Sequence, residues 1–302
     1  MPPEISVIIP TYYRNELLEE AIQTVLHQDY EPFELIVVDD SGEGHAKPVL
    51  ERYPNVKQII RDTNGGWGRA YTDGIVSSTG DYIHFLDDDD LFLPTKLSKT
   101  AALLDANPNI GVAYSGLVSD VRGFQHPNPS VSGNVIEHAL RFDMYPCCTI
   151  TMLMRRELLF DILPLPSFAD DLHLKIELAK RTRFDYVDEC LVFRRKLESR
   201  KWVGLDKFAE MKRVVQHHEP LYDDHPDIRR TLLAELYEKE GQVRLDQQIW
   251  SLVAIINFLK ATYYTEEGKF RCTAQILAGL FGRYGLNAAR RVRMRALEAV
   301  KA

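Results

Sequence analysis

The sequence predicts an α/β protein with a mostly parallel sheet flanked by helices and a helical extension at the C-terminus. In the first half, short β-branched and apolar runs alternate with segments whose apolar residues recur at helical spacing. From about Leu205 onward, helical spacing continues to the end of the chain. Alternating strands and helices favour a parallel sheet covered by helices, because parallel strands need long crossover connections.

The expected elements follow one another closely. Strands are expected at residues 5–9, 33–38, 56–61, 82–86, 110–114, 149–154 and 191–194. Helices are expected at about 17–26, before Tyr53, and at 68–77, 94–106 and 170–180. Residues 116–146 have no clear periodicity and are expected to form loops, with a short helix near 137–142. We therefore place a catalytic domain over residues 1–204 and a helical extension over residues 205–302.

Composition narrows the classes of protein that fit. The chain has 302 residues and a formal net charge of −7, which gives no reason to expect nucleic acid as a partner. No apolar run reaches the length of a membrane span, and the first residues lack the basic region of a signal peptide. The four cysteines include the adjacent pair Cys147 and Cys148 but no CxxC, which favours reduced thiols. We expect a cytoplasmic protein.

A run of four aspartates, Asp87–Asp90, directly follows the strand expected at 82–86. Ligands bind at the carboxyl ends of strands in such sheets, and four carboxylates there would repel one another. A divalent cation would remove that repulsion, and oxygen ligands suit Mg²⁺ or Mn²⁺. Such an ion would bridge the phosphates of a nucleoside diphosphate. The alternative is a solvated acidic loop.

Other polar residues stand at strand or helix ends. The first strand ends in Pro10-Thr11-Tyr12, with neither a dinucleotide-binding Gly-rich turn nor a P-loop. The second ends in Asp39-Asp40, which could bind a base or ribose but is also ordinary turn chemistry before Ser41-Gly42. A further pair, Asp170-Asp171, opens a helix, where it is either a cap or a general base for an acceptor hydroxyl.

Together, three segments resemble family 2 glycosyltransferases of the GT-A fold, which is Rossmann-like. They are residues 6–12 (SVIIPTY), 37–41 (VVDDS) and 80–90 (GDYIHFLDDDD), and their order and spacing are more specific than any one alone. The resemblance implies transfer of a single sugar from a nucleoside-diphosphate donor to a hydroxyl of a glycan, lipid-linked sugar or polysaccharide precursor. It also implies inversion at the anomeric centre and a divalent cation, Mn²⁺ or Mg²⁺, as cofactor.

The resemblance assigns roles to particular residues. Asp87, Asp88 and Asp89 would form the DxD motif, with Asp87 and Asp89 as metal ligands and Asp88 near the ribose. Asp171 would be the catalytic base, and Asp39 would contact the nucleotide base. The nucleotide-binding candidates are Pro10, Thr11, Tyr12, Arg14, Asp39, Asp40, Arg69, Asp87 and Asp88.

The sequence departs from the family pattern in three places. Asp170 stands where the family usually has Glu, and Arg69 lies in Gly68–Gly74 (GRAYTDG), not in the usual Ala-Arg-Asn stretch. The QxxRW motif is absent, which favours transfer of one sugar over polymer synthesis. The candidate cations for a diphosphate clamp are Arg194, Arg195, Arg200 and Lys201, each of which could equally lie in a solvated basic loop.

Other functions stay open at this point. A nucleotidyltransferase would need a Gly-rich phosphate loop where Pro10-Thr11-Tyr12 stands, and a haloacid-dehalogenase-like phosphatase would need Thr or Val in place of Leu91. A non-catalytic nucleotide-sugar or carbohydrate binder would lack turnover although both acidic clusters are intact.

The last third of the chain is expected to form amphipathic helices. Their apolar residues, expected to pack on each other or on the sheet, are Leu232, Leu233, Leu236, Tyr237, Ile249, Leu252, Val253, Ile256 and Leu259. The chain ends in a basic stretch that contains Arg283, Arg290, Arg291, Arg293 and Arg295. We favour a solvated helix face there, with peripheral contact to an anionic membrane, suited to a lipid-linked acceptor, as the alternative.

Overall fold

The computed structural model describes residues 4–166, 170–196, 204–265, 269–285, 287–288 and 291. Backbone contacts divide the chain into two compact units, Met1–Arg200 and Lys201–Ala302. Each unit is considered by itself.

The first unit alternates strands and helices, as its sequence pattern predicts. Its described strands are β1 (Ile5–Thr11), β2 (Phe33–Asp39), β3 (Lys57–Ile60), β4 (Tyr82–Phe85), β5 (Asp90–Phe92), β6 (Ile110–Ser119), β7 (Gly123–Gln125), β8 (Met152–Arg155) and β9 (Arg183–Arg194). Its described helices are α1 (Asn15–Leu26), α2 (Lys47–Leu50), α3 (Trp67–Ser77), α4 (Lys96–Ala106), α5 (Ile136–Arg141), α6 (Arg156–Phe160) and α7 (Asp170–Arg181), with a 3₁₀ turn at Thr149–Thr151.

One sheet runs through the unit in the order β3-β2-β1-β4-β8-β6-β9-β5, with β7 paired to β6. The first four strands in that order pair in parallel, as does β6 with β9. Strand β8 is antiparallel to both β4 and β6, and β5 is antiparallel to β9. The predicted α/β fold is confirmed, but its parallel pairing is confined to these strands because β8 and β5 run in the opposite direction.

Helices cover both faces of the parallel strands. Val7 and Ile9 on one face of β1 belong to the same buried cluster as Leu18 and Ile22 of α1. On the other face, Gly74 of α3 lies so close to Ile8 that a Cβ there would be 2.4 Å from Ile8 Cγ2. Burial on both faces explains why these strands are continuous apolar runs in the sequence.

The sequence missed strands β5 and β7 and most of β9. Strand β5 begins within the aspartate run, at Asp90, and pairs Asp90 with Arg194 of β9. Strand β9 covers Arg183–Arg194, although only its last four residues were expected in a strand. The prediction of loops over residues 116–146 was wrong at the end of β6 and at β7, which pair as a hairpin. Such strands depend on their pairing partners more than on their own periodicity.

The second unit is helical, as predicted. Its described helices are α8 (Asp206–His217), α9 (Glu219–Asp223), α10 (Pro226–Gln247), α11 (Leu252–Tyr264) and α12 (Lys269–Leu280). Leu245, Ala254 and Phe258 form a small buried cluster, and Leu232, Leu233 and Leu236 are also buried. No helix among the described residues is long and apolar enough to cross a membrane.

The packing prediction for this unit was wrong at five positions. The apolar residues that are exposed instead of packed are Ile249, Leu252, Val253, Ile256 and Leu259. The face of α11 that does pack carries Ala254, Ile255 and Phe258, which stand between the exposed positions in sequence. Arg290, Arg293 and Arg295 lie outside the described residues.

Candidate active site

The carboxyl ends of β1, β2 and β4 meet at one edge of the sheet. Thr11 and Asp39 are register partners at the ends of β1 and β2. The Thr11 hydroxyl donates a hydrogen bond of 2.9 Å to Oδ2 of Asp88, which follows β4. The parallel topology therefore brings together the three segments that resemble the family, residues 6–12, 37–41 and 80–90.

Three carboxylates of the aspartate run face one another. One oxygen from each of Asp87, Asp89 and Asp90 lies within 4.8 Å of the others. Asp89 and Asp90 are buried, and Asp87 is half-buried. Asp90, which was not among our predicted ligands, joins the set because β5 turns it back toward β9, where its Oδ1 accepts the Arg195 N–H at 3.0 Å. Three hard oxygen donors fit a divalent cation such as Mg²⁺ or Mn²⁺.

The Asp88 carboxylate accepts hydrogen bonds from other side chains of the site. Besides the Thr11 hydroxyl, it accepts a 2.9 Å hydrogen bond from Nη1 of Arg14, which also lies 3.3 Å from Oδ2 of Asp89. Burial raises the pKa of Asp88 to about 6, against the lowering effects of Arg14 and Thr11. Arg14 thus offsets part of the repulsion within the aspartate run from the end of β1.

Tyr71 of α3 donates a hydrogen bond of 3.1 Å from its hydroxyl to Oδ1 of Asp87. Burial first, and then the charge of Asp87, raises the pKa of Tyr71 well above its usual value, so the phenol stays a donor. This contact was not predicted, because Tyr71 stands on a helix that precedes the aspartate strand.

Arg194 is the candidate cation that faces the aspartates. Burial opposes its charge, but Cys148, Asp90 and Asp87 face it and raise its pKa overall. The Arg195 side chain instead pairs with Glu20 of α1. Arg200 and Lys201 lie outside the described residues.

Asp39 fixes the loop that follows β2. It is fully buried, and its two oxygens accept the backbone N–H groups of Ser41 at 3.0 Å and Ala46 at 2.8 Å. The turn role that the sequence offered as the alternative is therefore realised at Asp39. Its contact with a nucleotide base stays a prediction.

Asp40 fixes the next loop along this edge. Its oxygens accept the N–H groups of Gly65 and Gly66, both at 2.8 Å, and Arg61 Nε lies 2.8 Å from Oδ1. These glycines lead into α3, whose exposed Arg69 lies beside Gly65. Asp40 thus positions Arg69 through the loop between them.

Exposed aromatic rings stand at the end of β1. Tyr12 is 51% exposed, while Pro10 is half-buried beside it. Tyr13 has a left-handed backbone with φ of +56°, and its ring packs against those of Tyr12 and His45 at centroid distances of 4.7 and 4.6 Å. Rings held in this way offer flat apolar surfaces at the sheet edge where the acidic cluster lies.

Asp171 is held by a lysine one helical turn along α7. Its Oδ2 lies 2.9 Å from Nζ of Lys175, which is buried and also donates to the Cys147 carbonyl at 3.3 Å. Burial lowers the pKa of Lys175, but Asp171 outweighs that effect and the pKa is raised overall. The sequence did not single out Lys175. The side chain of Asp170 lies outside the described residues.

The Cys147–Cys148 segment connects the two acidic groups. Cys148 feels the charges of both Arg194 and Asp171, and burial raises its pKa to about 11. Burial also raises the pKa of Cys147. Both thiols are therefore neutral at physiological pH, and Cys147 is fully buried, in keeping with its predicted packing role.

Comparison with known proteins identifies the family. Residues 6–163 match the family model described as glycosyl transferase family 2. The chain belongs to glycosyltransferase family 2. The matched residues contain the ends of β1, β2 and β4 and the whole aspartate run.

Similar proteins share only part of their length with this family 2 chain. An uncharacterised glycosyltransferase of Haemophilus influenzae is 34% identical over 36% of this chain and 37% of its own length. EpsE of Bacillus subtilis is 30% identical over 51% of this chain and 56% of its own length. WcaA of Escherichia coli, whose name refers to colanic acid biosynthesis, is 36% identical over 32% of this chain and 36% of its own length.

Solved structures of two transferases share the fold. TarS of S. aureus, residues 1–349 in complex with UDP-GlcNAc, aligns with a TM-score of 0.66 at 19% identity, over 91% of this chain and 84% of that one. The mannosyltransferase PcManGT of Pyrobaculum calidifontis, in complex with GDP-Man and Mn²⁺, aligns with a TM-score of 0.58 at 20% identity, over 93% and 80%. The family 2 chain therefore has the GT-A fold that its motifs imply.

Proposed function

We propose that the protein is a metal-dependent, inverting glycosyltransferase that moves a single sugar from a nucleoside-diphosphate donor to an acceptor hydroxyl. The observation that carries the proposal is the cluster of Asp87, Asp89 and Asp90 at the carboxyl edge of the parallel strands. Family membership supports it, as do the nucleotide sugars bound in both structural neighbours and the Mn²⁺ bound in one of them.

The acidic cluster and its neighbours would hold the donor diphosphate. Asp87, Asp89 and Asp90 would bind Mn²⁺ or Mg²⁺, which neutralises the charge that develops on the departing diphosphate. Arg194 would add a second positive charge from the end of β9. Arg14 and Tyr71 position the aspartates, because each donates a hydrogen bond to the run from a different element.

The remaining nucleotide-binding assignments follow the same edge. Pro10, Thr11 and Tyr12 would line the nucleotide pocket, with Asp88 near the ribose and Asp39 at the base. Asp40 and Arg69 would act together, since the Asp40 carboxylate holds the loop that precedes Arg69. The sequence of these contacts along β1, β2 and α3 supports one continuous nucleotide site.

Asp171 would be the catalytic base. Its carboxylate would take the proton of the acceptor hydroxyl as that oxygen forms a bond to the anomeric carbon. The bond from that carbon to the diphosphate breaks in the same step, and the diphosphate leaves with the electron pair. Lys175 orients the carboxylate through their 2.9 Å ion pair on α7.

The acceptor would be a glycan, a lipid-linked sugar or a polysaccharide precursor. The name of WcaA, a relative over 32% of this chain, supports an acceptor in polysaccharide synthesis. We place the reaction in the cytoplasm, where nucleotide sugars are made, with peripheral contact to the membrane when the acceptor is lipid-linked.

The first experiment measures release of nucleoside diphosphate from UDP-, GDP- and dTDP-sugars with Mn²⁺, with Mg²⁺ and with a chelator. We expect metal-dependent release that Asp89→Ala abolishes together with metal-dependent donor binding. Asp171→Asn should slow transfer by about 100- to 10,000-fold while donor binding is kept. Unchanged turnover in Asp89→Ala would contradict the metal assignment. Metal-dependent donor binding with no release of nucleoside diphosphate in the presence of any acceptor would favour a non-catalytic binder. Pyrophosphate-dependent conversion of the nucleotide sugar to nucleoside triphosphate and sugar 1-phosphate would favour a nucleotidyltransferase.

A double variant separates catalysis by Asp171 from its structural contact. Asp171→Asn leaves the Lys175 charge buried without its carboxylate partner, which itself destabilises the fold. The variant Asp171→Asn/Lys175→Met removes that charge as well. We expect it to regain thermal stability relative to Asp171→Asn but not transfer. Recovery of transfer in the double variant would show that Asp171 acts only through the ion pair.

A further inference from the structure

One face of α11 is apolar and exposed. Its exposed residues recur at helical spacing and are Leu252, Val253, Ile256, Leu259, Lys260 and Tyr263. Leu252 is 58% exposed, Leu259 51% and Tyr263 79%. The opposite face, which includes Ala254 and Phe258, is buried in the second unit. Helix α11 is therefore apolar both on its buried face and on its exposed face.

The end of α12 continues this surface. Leu277, Leu280, Phe281 and Tyr284 are each more than half exposed and also follow helical spacing. The loop before α11 is tied to them, because the Trp250 indole N–H donates to the Leu280 carbonyl at 3.2 Å.

Two further hydrogen bonds hold the residues before Trp250 against the end of α12. The Arg283 backbone N–H donates to the Ile249 carbonyl at 2.8 Å, and its Nε donates to the Leu245 carbonyl at 2.9 Å. The exposed side chains of Ile249 and Trp250 therefore lie beside those at the end of α12, and the two helices present one apolar surface.

The segment that carries this surface is basic, although the whole chain is acidic. Residues 248–302 contain nine Lys or Arg and three Asp or Glu, whereas the chain as a whole has a net charge of −7. Helix α11 itself contains Lys260 and no acidic residue. An apolar face within a cationic segment, with Trp and Tyr among its residues, is the combination that binds at the interface of an anionic bilayer.

We propose that the exposed face of α11 and the end of α12 dock the protein on an anionic lipid surface. Leu252, Ile256, Leu259 and Phe281 enter the headgroup boundary, while the net positive charge of the segment attracts it to the anionic lipids. A second copy of the chain fits this surface less well, because a symmetric pair would bring two cationic segments together.

The test is flotation of the full chain, without donor, on vesicles of phosphatidylcholine alone and of phosphatidylcholine mixed with phosphatidylglycerol. We expect binding to the mixed vesicles that weakens in high salt and is much weaker on phosphatidylcholine. The variant Ile256→Gln/Leu259→Gln/Phe281→Gln should bind the mixed vesicles at least about tenfold more weakly than the wild type, because each residue loses its apolar contact with the bilayer.

A control variant replaces three exposed apolar residues of the first unit. Val76, Val121 and Phe124 are 60%, 63% and 72% exposed, and their replacement by Gln should leave vesicle binding unchanged. Binding that is absent, or that both triple variants lose equally, would overturn the proposal. A second contrary result would be a wild-type dimer, seen by light scattering, together with no binding to vesicles. In that case the Ile256→Gln/Leu259→Gln/Phe281→Gln variant alone would be monomeric. Vesicle binding needs no turnover, so its outcome is independent of the glycosyltransferase assay.

Discussion

At the scale of single residues, Asp39 tests whether a predicted ligand contact also stabilises the fold. Its two oxygens accept backbone N–H groups from Ser41 and Ala46. Asp39→Asn would turn an amide N–H₂ toward one of these donors, and a buried unsatisfied donor costs about 1–3 kcal/mol. We expect the free energy of unfolding, measured by urea denaturation without any ligand, to fall by about that amount.

Asp62→Asn is the control for this prediction. Asp62 is an exposed aspartate soon after β3, and its replacement should change stability by no more than about 0.5 kcal/mol. If Asp39→Asn weakens donor binding while its unfolding curve matches the wild type, Asp39 acts on the ligand alone and the loop does not depend on it.

Most of the site residues that the sequence found stand next to a strand end, whereas Asp171 and Arg69 lie on helices. Asp87 to Asp89 directly follow an apolar run, so their place at a sheet edge can be read from local pattern. Tyr71 and Asp90 were missed because each depends on a partner from another element. Those partners are set by packing and strand pairing, which leave no short-range trace in one sequence. Lys175 differs, since it stands one helical turn from Asp171 on α7, and that spacing could have indicated the pair.

At the scale of elements, α3 supports the segment that precedes α7, the helix of the proposed base Asp171. Gly68, in the first turn of α3, lies against the chain before α7, and a Cβ there would be 2.3 Å from the Pro166 carbonyl oxygen. The Thr72 hydroxyl also accepts the Leu165 N–H at 3.0 Å. Gly68 is the first glycine of GRAYTDG, a segment that the sequence analysis noted only as a departure from the family pattern. Its lack of a side chain permits a close approach of two backbones.

Gly68→Ala should displace residues 165–166, because a carbonyl oxygen of the main chain cannot move aside independently. We expect kcat to fall by about 100-fold, since small misplacements of reacting groups have effects of that size, with little change in the KM for the donor. Gly279→Ala is the matched control, because its Cβ would meet Phe258 at an ordinary 3.4 Å. A raised donor KM with unchanged kcat would mean that α3 acts on the nucleotide side instead.

The order of elements was predictable further than their pairing. Strands β1, β2 and β4 and helices α1, α3 and α4 were found because the strands are continuous buried runs and the helices are amphipathic. The parallel arrangement failed at β8 and β5, whose direction depends on where the chain returns after long connections. The exposed side of α11 was misjudged for a similar reason, since apolar spacing shows a helix but not what covers it. The assignment of residues 1–204 as the catalytic domain and of residues 205–302 as an extension stays a prediction.

At the scale of the whole first unit, a buried lysine should make stability depend on pH. Lys96 at the start of α4 is fully buried, and its Nζ donates to Ser115 Oγ at 3.0 Å and to the Thr151 carbonyl at 2.7 Å. Burial lowers its pKa to about 7, while Cys148 and Cys147 act in the opposite direction. The unfolded chain keeps a lysine proton up to about pH 10.4, so between these values it binds more protons than the folded chain.

Stability must then rise with pH across that window, because the cost of burying the charged lysine is present in full below pH 7 and is relieved above it. Relative to Lys96→Met, the wild type should gain about 2 kcal/mol of unfolding free energy between about pH 7 and pH 9. Urea denaturation at several pH values measures this difference. Lys99→Met, on the same helix but 38% exposed and paired with Glu189, should run parallel to the wild type. If the Lys96→Met curve were also parallel, Lys96 would keep its proton in the fold, and its two hydrogen bonds would have to stabilise a buried ammonium group.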